Sequence, residues 1–283
     1  MFPESLIIDI ATPVTAALEN FVAQSGDGFK EASKHVLGVL LLLESALRGA
    51  PWWLVILVIA ALVFALTRRF APTVTLAAAT FLLGVLGLWD AAMQTLALMI
   101  AALIVAVIVG LPLGVLLARH NRLRAFTLPV LDAMQTLPSF VYLVPALLLF
   151  GLGKVPALLA TVIYALPPII RLTDLGLRHA DPDAVEAADA FGATPTQKLF
   201  WVELPLALPS ILAGLNQACM MALSMVVVAA MIGARGLGEQ VLLGIQRLDT
   251  GRALVAGLGI VVLAILLDRL TQATVRAVSA GSK

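Results

Sequence analysis

Residues 186–209 read EAADAFGATPTQKLFWVELPLALP. The stretch holds acids, a lysine, a glycine and prolines, yet it lies between two long apolar runs. Charges and helix-breaking residues are costly in hydrocarbon, so this segment belongs outside a bilayer that its neighbours cross. Its pattern is that of a short helical hairpin. Asp181 can accept a free backbone N–H at a helix start. Pro182 is preset for the first turn, and Asp183 adds negative charge at the positive end of the helix dipole. Ala184, Ala187, Ala188 and Phe191 recur at helical spacing and form a small apolar face. Asp183, Glu186 and Asp189 line another side, as a basic groove on a partner would require. Gly192 suits a left-handed stop, and Thr194 and Pro195 then repeat the cap-and-proline start. A second short helix over 198–202 is expected to end before Pro205.

On either side of the hairpin, charge-free windows meet or approach the roughly 20 residues that a bilayer core takes as helix. They are 51–67, 71–89, 91–118, 133–153, 155–170, 204–234 and 253–267. An all-α integral membrane protein of about seven transmembrane helices is expected. Residues 36–47 are apolar too, but Glu44 interrupts them and they would reach only about 18 Å as helix. They are read as an interfacial helix in an N-terminal segment, 1–50, ahead of a membrane domain over 51–283 with a polar loop at 171–205. No signal peptide is read at the start, which lacks a basic opening and a compact apolar core.

Composition narrows the chemistry. The mean hydropathy is +1.04, and 61% of residues are hydrophobic against 12% charged. The net charge of +1 gives no basic surface for nucleic acid. Cys219 is the sole cysteine, so no internal disulfide is possible. His35, His120 and His179 lack ligand-like spacing, so no metal site is expected. There is no G-x-x-x-x-G-K-[ST] loop to cradle phosphates. The stretch GARGLG at 233–238 lacks the Lys-Ser/Thr pair and is read as a turn. No catalytic residue is nominated.

Lys and Arg orient the chain. Arg68 and Arg69, then Arg119, Arg122 and Arg124, then Arg171, Arg178 and Lys198, and finally Arg269, Arg276 and Lys283 fall on one side if seven spans cross. That side is assigned to the cytoplasm, which places the C-terminus inside and the N-terminus outside. Trp52, Trp53 and Trp89 stand at span ends, as interfacial aromatics do.

Glu186-Ala187-Ala188, three residues, Gly192, nine residues, then Val202-Glu203-Leu204-Pro205 resembles the EAA motif of ABC importer permeases. Val202 stands where that motif usually has Ile. The stretches PVLDAMQTLPSFVYLVPALLLFGLG from Pro129, ALPPIIRLTDLG from Ala165, ALSMVVVAAMIGARGLG from Ala222 and GIVVLAILLDRLTQ from Gly259 resemble permeases of glycine betaine and proline betaine importers. Similar permeases serve choline and related quaternary amines. The resemblance implies the type I importer permease architecture, with the loop as a cytoplasmic coupling helix. Asp183, Glu186, Ala187, Ala188, Asp189, Gly192, Leu204 and Pro205 would then meet a separate ABC ATPase subunit. It further implies a permease homodimer and a periplasmic or lipid-tethered substrate-binding protein. No cofactor is expected in this chain; ATP and Mg would be bound by the ATPase.

A quaternary ammonium has no N–H to donate, so aromatic faces are the natural partners of its head. Phe140 and Tyr142 are the candidates in the fourth window, although positions i and i+2 do not share a helix face. Asn216, Gln217 and Ser224 are polar candidates for the path, with interhelical hydrogen bonding as their other reading. Pro112, Pro138, Pro145, Pro167, Pro168 and Pro209 are hinges or packing kinks. Gly110 and Gly114 are read as a close helix contact. The rival from another class is an ion-gradient-driven secondary transporter, which predicts ionisable residues deep in several spans.

Overall fold

The computed structural model describes residues 11–281, and among them every regular element is helical. α1 spans Ala11–Gly49, α2 Trp52–Thr67, α3 Phe70–Val85 and α4 Trp89–Arg119. α5 (Asn121–Thr136) is followed by a 3-10 turn (Ser139–Tyr142) and α6 (Leu143–Phe150). α7 covers Lys154–Arg178, α8 Pro182–Ala190 and α9 Pro195–Lys198. A π-turn, Leu199–Glu203, leads into α10 (Leu204–Ala229), and α11 (Leu237–Gln246) and α12 (Thr250–Gly281) follow. Arg276 and Lys283, counted among the orienting charges, lie outside the residues whose side chains are described.

Each of the seven apolar windows coincides with a helical segment, but not all are single straight spans. Among the described residues, four helices are long and apolar enough to cross a membrane: Trp89–Arg119, Lys154–Arg178, Pro195–Ile232 and Thr250–Thr274. Two more spans form if bent pairs are joined: Ser33–Gly49 with Trp52–Thr67, at 101°, and Asn121–Thr136 with Ser139–Phe150, at 111°. Phe70–Val85 is a shorter apolar helix. The window at 133–153 is therefore broken. Leu137 is forced out of the helical region by Pro138, which follows it (ψ 136), and the chain turns there. Residues 36–47 are the end of the long α1, and Leu40 and Glu44 within them are buried.

α7 is the central rod. In its most apolar window 67% of residues are buried, against 22% in α12, most of which faces outward from the bundle. Small residues let its neighbours reach it. A Cβ on Gly114 of α4 would stand 2.5 Å from Thr173 Cβ, and one on Gly110 would stand 2.9 Å from Ile169 Cγ2. On α10, a Cβ at Gly214 would meet the carbonyl oxygen of Pro168 at 2.9 Å. At Gly114 and Gly214 the absent side chain lets α4 and α10 close on the α7 backbone, and at Gly110 it makes room for the Ile169 side chain. Around this junction Met99, Ala165, Ile169, Ala218 and Met225 form the main core. A second core joins α2, α3 and α12 to the first turns of α4 through Val63, Leu83, Met93 and Leu263. α4, α7 and α10 continue through Pro112, Pro167, Pro168 and Pro209, and Pro145 sits in the first turn of α6; Pro138 alone of these stands at a break.

One expected boundary is corrected. The helix after Thr194 does not stop before Pro205; α9, the π-turn and α10 are continuous from Pro195 to Ile232. Leu204 N donates to the carbonyl of Leu199, five residues back. This wider turn falls where Pro205 has no N–H to give and its ring would crowd a regular α-turn. The proline is thus carried through the helix.

Candidate functional site

The hairpin of α8 and α9 is held by its own caps. Asp181 Oδ1 accepts from Asp183 N at 3.0 Å, with Pro182 at the first helical position. Gly192 takes the left-handed conformation, φ 76°, which a side chain would strain. Thr194 Oγ1 accepts from Gln197 N while Gln197 Oε1 accepts from Thr194 N at 2.9 Å, a reciprocal capping box. Lys198 Nζ donates to both carboxylate oxygens of Asp189 at 2.8 Å. Asp189 is therefore a brace between the two helices, and of the three aligned acids Asp183 and Glu186 remain as the outward pair.

No side chain of α8 is buried. Ala187 is exposed, Ala184 and Ala188 are half-buried, and Phe191 is 93% exposed. The apolar face read from spacing is formed, uncovered at Ala187 and Phe191 and half-covered at Ala184 and Ala188. The later half of the motif behaves in the opposite way. Glu203 is buried, and Leu204 packs against Leu177, Ala207 and Ile211, while Pro205 stays exposed.

The roots of the hairpin are tied by charge. The Glu203 carboxylate pairs with Arg119 at the end of α4. Asp174, 1% exposed, accepts from Arg178 Nε and from Arg124 Nε, each at 2.8 Å. Arg178 Nη2 also donates to the carbonyl of Leu117 at 2.9 Å. Arg171 pairs with Asp132 at 2.7 Å. Many of the basic residues that orient the chain are thus internally matched. At the other end of the bundle, Glu44 is buried between Lys154 and Arg48, and Arg48 reaches Asp90 at 3.0 Å. The GARGLG stretch is the turn expected of it, with Gly233 and Gly236 at positive φ and Leu237 N donating to Thr95 Oγ1 at 2.9 Å.

The path candidates separate. Tyr142 is buried in the main core, its hydroxyl donates to the carbonyl of Met134, and its ring meets Tyr164 at 5.6 Å between centroids. Phe140 is 59% exposed. Asn216 joins α10 to α12, donating to Asp268 at 3.3 Å and accepting from Thr271. Gln217 and Ser224 are exposed, and with Ala213 and Met220 they form one helical stripe down α10. Ser224 Oγ donates back to the carbonyl of Met220 at 3.1 Å.

Residues 110–280 match the family described as binding-protein-dependent transport system inner membrane component. The chain belongs to that family. The match takes in the hairpin, both its roots and the α4–α7–α10 junction from Gly110 onward. Among curated relatives, the glycine betaine/proline betaine transport system permease protein ProW of Escherichia coli (strain K12) is 54% identical over 222 residues, 77% of this chain and 63% of that protein. The glycine betaine transport system permease protein OpuAB of Bacillus subtilis (strain 168) is 46% identical over 222 residues, 78% of each chain. The match spans 63% and 55% of the length of the E. coli and Salmonella typhimurium ProW proteins. An inward-facing structure of the MetNI methionine ABC transporter shares the fold, with TM-score 0.58 and 25% identity over 65% of this chain and 93% of that one. The protein is thus an all-α, multi-pass membrane protein with the fold of an ABC importer permease.

Sequence reasoning missed the polar ties. In the sequence Arg119 shows only as an orienting charge, and nothing beyond the helix marks Asp174. The available signal was Asp174 beside Arg178, at the i,i+4 spacing that pairs charges on one helix face.

Proposed function

We propose that this chain is the transmembrane permease subunit of an ATP-driven importer for glycine betaine, proline betaine or a related quaternary amine, and moves its substrate by alternating access. The observation that carries the reading is the hairpin: rigidly capped, uncovered along Ala187 and Phe191, and rooted in the central helices. Such an element suits a cleft on a separate ABC ATPase, with Asp183, Glu186, Ala187, Ala188 and Gly192 at the contact and Leu204 and Pro205 at the base. ATP and Mg belong to that ATPase; this chain translocates and does not hydrolyse. The names of its relatives support the substrate class. A second permease copy and a periplasmic or lipid-tethered binding protein complete the assembly.

The hairpin end is assigned to the cytoplasm, with the N-terminus outside and the C-terminus inside. The 101° bend between Ser33–Gly49 and Trp52–Thr67 supports an α1 end lying along the outer membrane face. Phe140, Gln217 and Ser224 line the substrate path, with Phe140 as the face for an ammonium head.

Reconstitution with the ATPase and binding protein tests the reading. ATP-dependent uptake of a betaine is expected, and choline and carnitine as competitors define the class. Gradient-driven uptake by this chain alone would overturn it. Gly192→Glu places a charge at the hairpin tip, where a Cβ meets no neighbour within 4 Å. Its backbone strain costs about 1 kcal/mol, so the variant remains in the membrane while ATPase-linked transport is lost.

A further inference from the structure

We propose that Glu203 and Arg119 are a positioning pair that makes α4, as well as α10, move with the hairpin. The inference rests on the permease reading and deepens it. The hairpin is joined to the bundle by two covalent roots and buries no side chain of α8. At its return root lies the π-turn Leu199–Glu203, whose wider hydrogen bonding makes it a place where displacement could be absorbed. Glu203 is the last residue of that turn, buried, and its carboxylate meets the guanidinium of Arg119 in the last turn of α4. At its departure root, Arg178 donates to the carbonyl of Leu117, in that same last turn of α4. Both roots are therefore tied to one turn of one helix.

α4 is 31 residues long, about 46 Å as helix. Its other end holds two far-end elements: Asp90 pairs with Arg48 of α1, and Thr95 Oγ1 accepts from the first residue of α11. A displacement that reaches Arg119 therefore has a continuous helical route to the opposite face, through Pro112. Without the Glu203 tie, the π-turn and the start of α10 shift apart from Arg119, the return root no longer carries α4 with it, and only the Arg178 donation to Leu117 still joins a root of the hairpin to that turn.

The test compares Glu203→Gln, the Arg119→Met/Glu203→Met double variant, which leaves no charge unpaired, and the swap Arg119→Glu/Glu203→Arg. At equal amounts of assembled complex, solute moved per ATP hydrolysed is expected to fall about tenfold in the first two and to recover at least half in the swap. A ratio equal to the unaltered complex in the double variant overturns the proposal. Amide hydrogen exchange over 199–204 reads the tie apart from its use and is expected to quicken at least tenfold in Glu203→Gln; unchanged exchange also overturns it. An unaltered complex without ATP-driven uptake refutes the permease reading alone, and the exchange arm still decides the tie.

Discussion

The hairpin α8–α9 and the junction of α4, α7 and α10 are stabilised by opposite means. The hairpin relies on caps: an Asp181 side chain, a capping box at Thr194, a left-handed glycine and the Lys198–Asp189 brace. Its apolar side chains meet little of the rest of the chain. The junction relies on closeness, with Gly114 and Gly214 admitting backbone contact and Gly110 admitting the Ile169 side chain, and it is tight enough that Thr173 Oγ1 is buried without a hydrogen-bond partner among the described residues. One region holds its shape and leaves its apolar side chains spare; the other is held by the faces its helices turn to one another. Substitutions in the first should act on a partner, and substitutions in the second on the fold.

The largest expected effect lies in the junction. Gly114→Leu drives a side chain into Thr173 and the Ile170 carbonyl, and overpacking of this kind costs about 3 kcal/mol. No monodisperse protein should be recovered in detergent size-exclusion; a folded, well-behaved variant would break the contrast. Next come the two aromatic residues of the broken span. Phe140→Ala should lower uptake about fivefold, the kinetic equivalent of a lost contact of about 1 kcal/mol, with the melting temperature unchanged. Tyr142→Phe should do the reverse, losing about 1 kcal/mol with its hydroxyl bond and keeping uptake per folded molecule. In the hairpin, Asp181→Ala should cost about 1 kcal/mol of local helix stability, seen as faster amide exchange over 183–190 without a shift in global melting. Lys198→Ala is the smallest, about 0.5 kcal/mol for a partly exposed pair, and thermal melting should barely register it.

The same contrast explains what could be read from sequence. The caps of the hairpin are legible because their signals are local: Asp181, Pro182, Gly192 and Thr194 each act within a few positions, whereas the extent of the helix after Thr194 and the pairing of Asp189 with Lys198 are not. Gly110 and Gly114 announced a close contact but not the identity of Thr173 across from them. The end of the helix near Pro205 was misplaced because a proline is a stop signal in an α-helix, and only the π-turn makes it passable. Arg119 and Glu203 lie 84 residues apart, and nothing local joins them. Tyr142 and Phe140 looked alike as aromatics two positions apart; the turn after Pro138 sends one into the core and leaves the other outside.

Phe191, Phe200 and Trp201 stand bare on the hairpin side, the last of them 80% exposed. On the permease reading, a cell that makes this chain in excess of the ATPase that would cover those rings leaves sticky aromatic flags bare, the kind of signal by which chaperones and proteases sort orphan chains. On that reading, matched synthesis of the chain and its ATPase would matter as much to its survival as any feature of its own packing.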